Sequence, residues 1–355
     1  MKKVLILTKT DWSEPPRIRH QMTRLLKEKG YDITFVEKNT YKSIFIKHRK
    51  EDGIDFYSHA QLLHHQLRYF PFIQKLNNSL VRFYLKKIIK KIEFDFILNF
   101  SYNYSFLKKL APNKKIITIM EDDFEAQAKF GMTKQIRNQI RATCQNSDHV
   151  LTVSYPLYDK LSSYQDNVTL FFPWSQRTYT KPIQNGLRNT VLYFGFVGRL
   201  NWEIIEEVIK NTSCQYRFVG PTIRKSDEQM VAHLKTSYSN FSYIPYSKIE
   251  ELKVDDAFCS ILPYDATLGN VQATTVSNRA FNLLSMGLPL VYADLKNLIK
   301  SPDTIMRTNR TAEEYQDTIA FFHHNFYEVQ KDIETFLSDH YKTSRWSVLQ
   351  ELIEN

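Results

Sequence analysis

The chain has few of the residues that most often advertise a chemistry. Its three cysteines, Cys144, Cys214 and Cys259, stand far apart with no CxxC pair among 355 residues. That leaves no material for a disulfide framework or a four-ligand zinc site and fits a reducing compartment. Nine glycines are well below the usual share of roughly 7%. They form neither GxxxxGK[ST] nor GxGxxG, so a P-loop and a dinucleotide fingerprint are both excluded. HExxH and GxSxG are missing as well. No run approaches the roughly 20 apolar residues of a membrane span. Val4 to Leu7, behind Lys2 and Lys3, is shorter than the roughly 7–15 apolar residues of a signal peptide. A cytoplasmic protein is the expectation.

What is present suits two ordinary domains. The length is about twice the usual 100–200 residues per domain, and 43% hydrophobic with 24% charged residues is a soluble globular composition. The net charge of +10 is unevenly spread: residues 1–180 hold 30 Lys/Arg against 17 Asp/Glu, and residues 181–355 hold 18 against 21. One half therefore expects an anionic partner.

Residues 3–8 form a short apolar run, Arg17 to Lys29 has helical spacing closed by Gly30, and YDITFVE follows as a second strand. Strand, loop, helix, glycine, strand is the opening of a parallel α/β unit. Runs at Phe94 to Asn99, Lys115 to Met120 and His149 to Val153 continue it. After a turn-rich stretch beyond Pro173 the alternation restarts at VLYFGFV and runs to LPLVYA before a helical C-terminus. The expectation is an α/β protein of two doubly wound, Rossmann-like domains facing each other across a cleft. They would span residues 1–178 and 188–338, with a helix at 339–355 packing back on the first.

The most informative stretch is residues 260–293, SILPYDATLGNVQATTVSNRAFNLLSMGLPLVYA. A strand ends at Pro263-Tyr264, a polar loop follows, and Ser277 stands as N-cap of a short helix closed by Gly287 and Pro289. Asn278 and Arg279 occupy its first turn. Free backbone N–H groups, the positive end of the helix dipole and a guanidinium would converge there, which suits a diphosphate. Asn282, one turn on, shares the side of Arg279 and could reach a ribose or phosphate oxygen. A capped helix with a surface arginine is the alternative.

This segment resembles the nucleotide-binding segment of GT-B glycosyltransferases, where a strand ending Pro-Phe/Tyr precedes a Lys/Arg-x-x-Glu-Tyr-Leu-Ala-x-Gly-x-Pro helix. Here the run is Arg279-Ala-Phe-Asn282 through Met286-Gly287-Leu-Pro289. VLYFGFVGRL, YRFVGP, FSYIPYSKIEELKVDDAFCSILPY, the first 37 residues and SDHVLTVSYPLYDKL are similar to further family segments in order, about 300 residues in all. The resemblance implies that Gly198, Arg199, Pro221, Ser277, Asn278, Arg279 and Asn282 line a nucleoside-diphosphate-sugar site. The donor would be a UDP-sugar, with no cofactor and no obligatory metal. Retaining relatives carry a Glu-x7-Glu pair; Thr274 and Asn282 stand at those positions, which is more similar to bacterial glucuronosyltransferases of xanthan-type synthesis and favours inversion. The acceptor would be a lipid-linked saccharide of bacterial surface polysaccharide.

Inverting transfer needs a general base at the carboxyl end of a strand in the acceptor domain. Glu121, Asp122 and Asp123 follow the strand IITIM; three adjacent carboxylates repel one another, so at least one should have a raised pKa, and Asp122 is the choice. A solvated acidic turn with Asp123 as a cap is the alternative, and Asp11 with Glu14 is the second carboxylate group. Arg17 and His20 begin the first helix and are assigned to the acceptor. Residues 42–91 hold 11 Lys/Arg against 3 Asp/Glu. Within them SLVRFYLKKIIKKI reads as an amphipathic basic helix, expected either to meet an anionic membrane at the inner face of the cell membrane or to be a core-packed helix with solvated lysines. No RNA-binding signature accompanies the basic residues, so no nucleic acid partner is expected. A sugar-nucleotide epimerase and a non-catalytic nucleotide-sugar or RNA binder are the competing functions.

Overall fold

The computed structural model describes residues 2–14, 16–37, 45–59, 71–128, 130–183 and 186–354, with Pro71 and Asn270 described by their backbone alone. Residues 42–44 and 60–70 of the basic stretch lie outside the described residues. The chain divides into two compact units, residues 1–173 with 345–355, and residues 174–344.

The first unit carries β1 (Lys3–Leu7), β2 (Asp32–Val36), β3 (Lys47–Glu51), β4 (Ile54–Ser58), β5 (Phe96–Asn99), β6 (Lys115–Met120), β7 (His149–Thr152) and β8 (Val168–Leu170). Its helices are α1 (Ile18–Glu28), α2 (Pro71–Ile89), α3 (Leu107–Leu110), α4 (Thr133–Gln145) and α5 (Tyr155–Ser162). The strand order is β3-β4-β2-β1-β5-β6-β7-β8, parallel except where β3 meets β4. The central strands are buried along nearly their whole length, which is why KVLIL, FILN and KIITIM read as unbroken apolar runs. The direction of winding reverses between β1 and β5, and the carboxyl ends of the parallel strands share one edge.

The second unit carries β9 (Thr190–Phe194), β10 (Gln215–Val219), β11 (Phe241–Ile244), β12 (Ala257–Leu262), β13 (Leu290–Ala293) and β14 (Met306–Asn309). These are flanked by α6 (Trp202–Lys210), α7 (Lys225–Ser237), α8 (Gly269–Gln272), α9 (Asn278–Ser285), α10 (Ala312–Asn325) and α11 (Gln330–Ser338). The order β11-β10-β9-β12-β13-β14 is parallel throughout and reverses direction between β9 and β12. In a doubly wound sheet such a switch point is where loops part and a ligand can enter.

The segment after Pro173, expected as a connection, packs instead on the second unit. Ser175 N–H donates to His340 O at 3.0 Å, Gln176 N–H to Asn282 Oδ1 at 3.0 Å, and Tyr179 O–H to Gln330 Oε1 at 3.0 Å. The last helix, α12 (Lys342–Glu354), brings residues 345–355 to the first unit: Arg345 donates to Phe172 O and Lys115 to Leu352 O, both at 2.9 Å, and Trp346 meets the Tyr31 ring edge-on. No described helix is long and apolar enough to cross a membrane.

Candidate functional site

At the carboxyl edge of the first sheet, the loops after β1 and β6 are joined by a buried cation. Arg19, on the first turn of α1 and only 1% exposed, donates to Glu121 Oε1 at 2.6 Å and to Glu14 Oε2 at 3.0 Å. A buried guanidinium needs both partners, because unpaired it would be strongly disfavoured. Glu121 is thereby committed to an ion pair. Asp123, 8% exposed, accepts from Ala126 N–H at 3.1 Å and lies 3.4 Å from Lys160 Nζ. Both carboxylates are thus engaged in holding the loop.

Asp122 differs from its neighbours. It is half-buried, and burial together with the adjacent Glu121 charge pushes its carboxyl up to about 7, against the opposing pull of Arg17, Arg19 and Gln127. A carboxyl titrating near neutrality can exchange a proton at working pH. Arg17 is exposed and close enough to act on Asp122 electrostatically. His20 is not available to an acceptor: its Nδ1 accepts from Arg17 N–H at 3.1 Å and its Nε2 meets Trp12 O at 3.1 Å. Burial and the nearby Arg19 pull its pKa down to about 4. The neutral ring therefore fastens the β1 loop to the start of α1, and its expected contact with acceptor is replaced by a structural one.

In the second unit, Arg279 leaves the first turn of α9 and reaches the end of β9. Its Nη1 donates to Phe194 O at 2.8 Å, and its guanidinium lies 5.7 Å from the Tyr193 ring and 5.6 Å from the Tyr264 ring. The planar group is thus held between the strands on either side of the switch point. Space for it depends on Gly195, where a Cβ would fall 1.7 Å from Nη1 and where φ is +136°. Two polar atoms here have no partner: Arg279 Nε and Ser277 Oγ are buried without a hydrogen bond. Ser277 stands at the N-cap with extended backbone, yet its hydroxyl does not cap α9. Asn278 opens the same turn.

Other expected donor residues divide. Arg199 is exposed in the loop after β9, at φ +60°, a left-handed conformation costly for a side chain, with its carbonyl accepting from Asp265 N–H at 2.9 Å. Pro221 is half-buried, its carbonyl taking Val197 N–H at 2.9 Å. A Cβ at Gly198 would fall 2.8 Å from Cδ1 and 3.1 Å from Cβ and Cγ1 of Ile223, a tight approach though less so than the one at Gly195. Asn282, 5% exposed, spends Oδ1 on Gln176 N–H at 3.0 Å and Ser175 Oγ at 3.4 Å. It holds the entering chain against α9 and is not presented to a ribose. Asn282→Ala leaves Gln176 N–H unpartnered, while Ser175 Oγ keeps Arg177 O at 2.7 Å, so a loss of about 1–3 kcal/mol of stability with unchanged nucleotide affinity is expected, as read by thermal melting and titration calorimetry.

The sequence reading passed over an apolar rim on adjacent strands. Phe196, Ile223 and Tyr246 are 50%, 54% and 67% exposed in the loops after β9, β10 and β11. Rings and branched chains at strand ends read as core in sequence; only the topology shows that these three leave the core together. Among the described residues no group of three or more His, Cys, Asp or Glu is placed to hold a metal.

No protein-family model and no curated protein sequence matches the chain. Solved structures do. A sucrose-phosphate synthase from Thermosynechococcus elongatus aligns over 100% of both chains at 11% identity and a TM-score of 0.73. A UDP-forming α,α-trehalose-phosphate synthase from Burkholderia vietnamiensis aligns over 100% of both at 9% identity and 0.71. The lipopolysaccharide outer core galactosyltransferase WaaB aligns over 99% of both at 10% identity and 0.64. These neighbours are GT-B glycosyltransferases, and at such low identities the likeness shows that the chain has the GT-B fold.

Proposed function

We propose that a chain with this GT-B fold is a glycosyltransferase. The second unit would hold a nucleoside-diphosphate sugar, a UDP-sugar, and the first would present a saccharide acceptor to Asp122. The observation that carries the reading is the pair of orphaned buried groups, Arg279 Nε and Ser277 Oγ, at the N-terminal end of α9. Orphaned buried donors are costly, and a diphosphate oxygen would satisfy both while meeting the helix dipole. The apolar rim of Phe196, Ile223 and Tyr246 suits a nucleobase, which stacks on rings and excludes water from one face.

In the transfer step the ionised Asp122 carboxylate accepts the proton of the attacking acceptor hydroxyl as its oxygen bonds to the anomeric carbon. The bond from that carbon to the diphosphate oxygen breaks, and the electron pair leaves with the nucleoside diphosphate. Arg279, Arg199 and the helix end meet the developing charge, so the step needs no metal. One carboxylate and no second nucleophile describe inversion. UDP-forming and lipopolysaccharide-core chemistry among the structural neighbours supports UDP and a lipid-linked acceptor of bacterial surface polysaccharide. That acceptor class calls for an enzyme working from the cytoplasm on the anionic inner face of the cell membrane, without a nucleic acid partner.

The donor half of this reading is tested by calorimetric titration with UDP, UMP and uridine. UDP should bind at least tenfold tighter than uridine, and equal affinities would remove the diphosphate site.

A further inference from the structure

Helix α2, described over Pro71–Ile89, reaches at least eight residues further toward the N-terminus than SLVRFYLKKIIKKI suggests. The longer helix has two unlike faces. Gln74, Val81, Tyr84, Leu85 and Ile88 are buried; Val81, Leu85 and Ile88 pack in one core cluster with Leu5, Leu7 and Ile97 of the first sheet, and Tyr84 stacks on His59. At 100° per residue the exposed side chains, Phe72, Lys75, Leu76, Ser79, Arg82, Phe83, Lys86, Lys87 and Lys90, fall on one arc of about 140°. Phe72, Leu76 and Phe83 are 78%, 42% and 51% exposed and lie side by side within that arc, with Arg82, Lys75 and Lys86 on one flank and Lys87 on the other. Lys87 Nζ sits 4.3 Å from the Phe83 ring.

The charge on this face is of one sign. From Pro71 to Ile92 there is no Asp or Glu, and Lys75, Arg82, Lys86, Lys87, Lys90 and Lys91 are all exposed. A helix kept merely soluble usually mixes both signs; here apolar rings lie in the centre of an acid-free cationic field, on a helix whose other face is already committed to the core.

We infer that this outward face of α2 is the surface by which the protein docks on an anionic lipid leaflet. The helix lies in the plane of the membrane, Phe72, Leu76 and Phe83 enter the headgroup boundary, and the flanking cations meet lipid phosphates. Attraction to the negative surface concentrates the protein there, and the apolar side chains supply contact that salt does not screen. Long lysine stems can cover apolar surface while their ammonium groups remain at phosphate level. A nucleic acid would use the cations and leave Leu76 and the ring edges without a partner, so the leaflet is the better fit. The inference deepens the reading of a lipid-linked acceptor by naming the element that brings the enzyme to it.

The test is sedimentation of the full chain with vesicles of phosphatidylcholine alone and with 30% phosphatidylglycerol, in parallel with UDP titration of the same preparation. Wild type should bind the anionic vesicles at least about 100-fold more tightly than the neutral ones. The triple variant Lys86→Gln, Lys87→Gln, Lys90→Gln should lose about 100-fold of that, at about fivefold per cation. Phe72→Ala with Phe83→Ala should lose about tenfold or more at unchanged charge. Both variants change exposed side chains, and unchanged melting and UDP affinity verify the fold. Equal binding to the two vesicle types, or either variant binding like wild type, overturns the inference. So does tighter binding of a mixed-sequence single-stranded RNA than of the anionic vesicles. Vesicle binding is read without donor or acceptor, so its failure is distinct from a failure of UDP to bind.

Discussion

Replacing Asp122 with Asn is expected to lower turnover by about 10²- to 10⁴-fold and to leave UDP affinity unchanged, because the substitution removes the proton acceptor of the first unit, while the proposed diphosphate groups, Ser277 and Arg279, belong to the second. With wild type, kcat/KM for the acceptor should rise about tenfold per pH unit below 7 and level off above it, following the carboxyl that burial and Glu121 push up to about 7. The Asn variant should lack that acid limb. The same shift reaches stability. A carboxyl that titrates near 7 in the fold and near the ordinary 3.8 when unfolded keeps its proton better in the folded state. Its favourable contribution is full below the unfolded value and is lost as pH rises through the folded one. The melting temperature of Asp122→Asn relative to wild type should therefore increase from pH 4 to pH 8. A variant that loses activity while gaining stability at high pH marks a group kept for chemistry; a merely structural aspartate would lose both.

Arg279→Ala should weaken UDP binding by roughly 30- to 150-fold, the equivalent of about 2–3 kcal/mol for charge-assisted hydrogen bonds. Arg279→Lys should recover only part of this. A lysine ammonium is a compact charge and cannot at once donate to Phe194 O, lie against the Tyr193 and Tyr264 rings and turn Nε to an anion. Gly195→Ala should reach the same end by another route, since its Cβ would fall 1.7 Å from Nη1 and force the guanidinium away. Weak UDP binding by Gly195→Ala with Arg279 intact would show that the position of the guanidinium matters, beyond its charge. Calorimetry on all three variants reads this directly.

Periodic features were legible in the sequence. Apolar runs bounded by polar loops gave the strands, Gly30 ended α1 in the left-handed region at φ +81°, and the Ser277 to Pro289 spacing gave α9. Burial, the larger cause of the raised Asp122 pKa, comes from the fold; adjacency supplied only the smaller one, the Glu121 charge. Partnerships across long separations were not legible. Arg19 reads as a solvated helix residue until Glu121, 102 positions away, closes over it. Asn282 keeps the helical offset from Arg279 that the spacing implies, yet Gln176, 106 positions away, takes its oxygen. His20 reads as a ligand until both ring nitrogens are seen to be held by its own loop. For Arg19 and Asn282 local spacing located the side chain and a distant segment decided what it faced; for His20 the folding of its own loop did.

The central claim is acceptor-dependent sugar transfer, and the most direct measurement incubates the protein with radiolabelled UDP-, GDP- and dTDP-sugars, with and without bacterial membrane extract, following both released nucleoside diphosphate and labelled product. The account predicts release from a UDP-sugar that requires the extract, with the label passing into a lipid-extractable or saccharide product and the Asp122→Asn protein inactive. Conversion of a sugar nucleotide without extract, or tight binding of donor with no turnover in its presence, would contradict it.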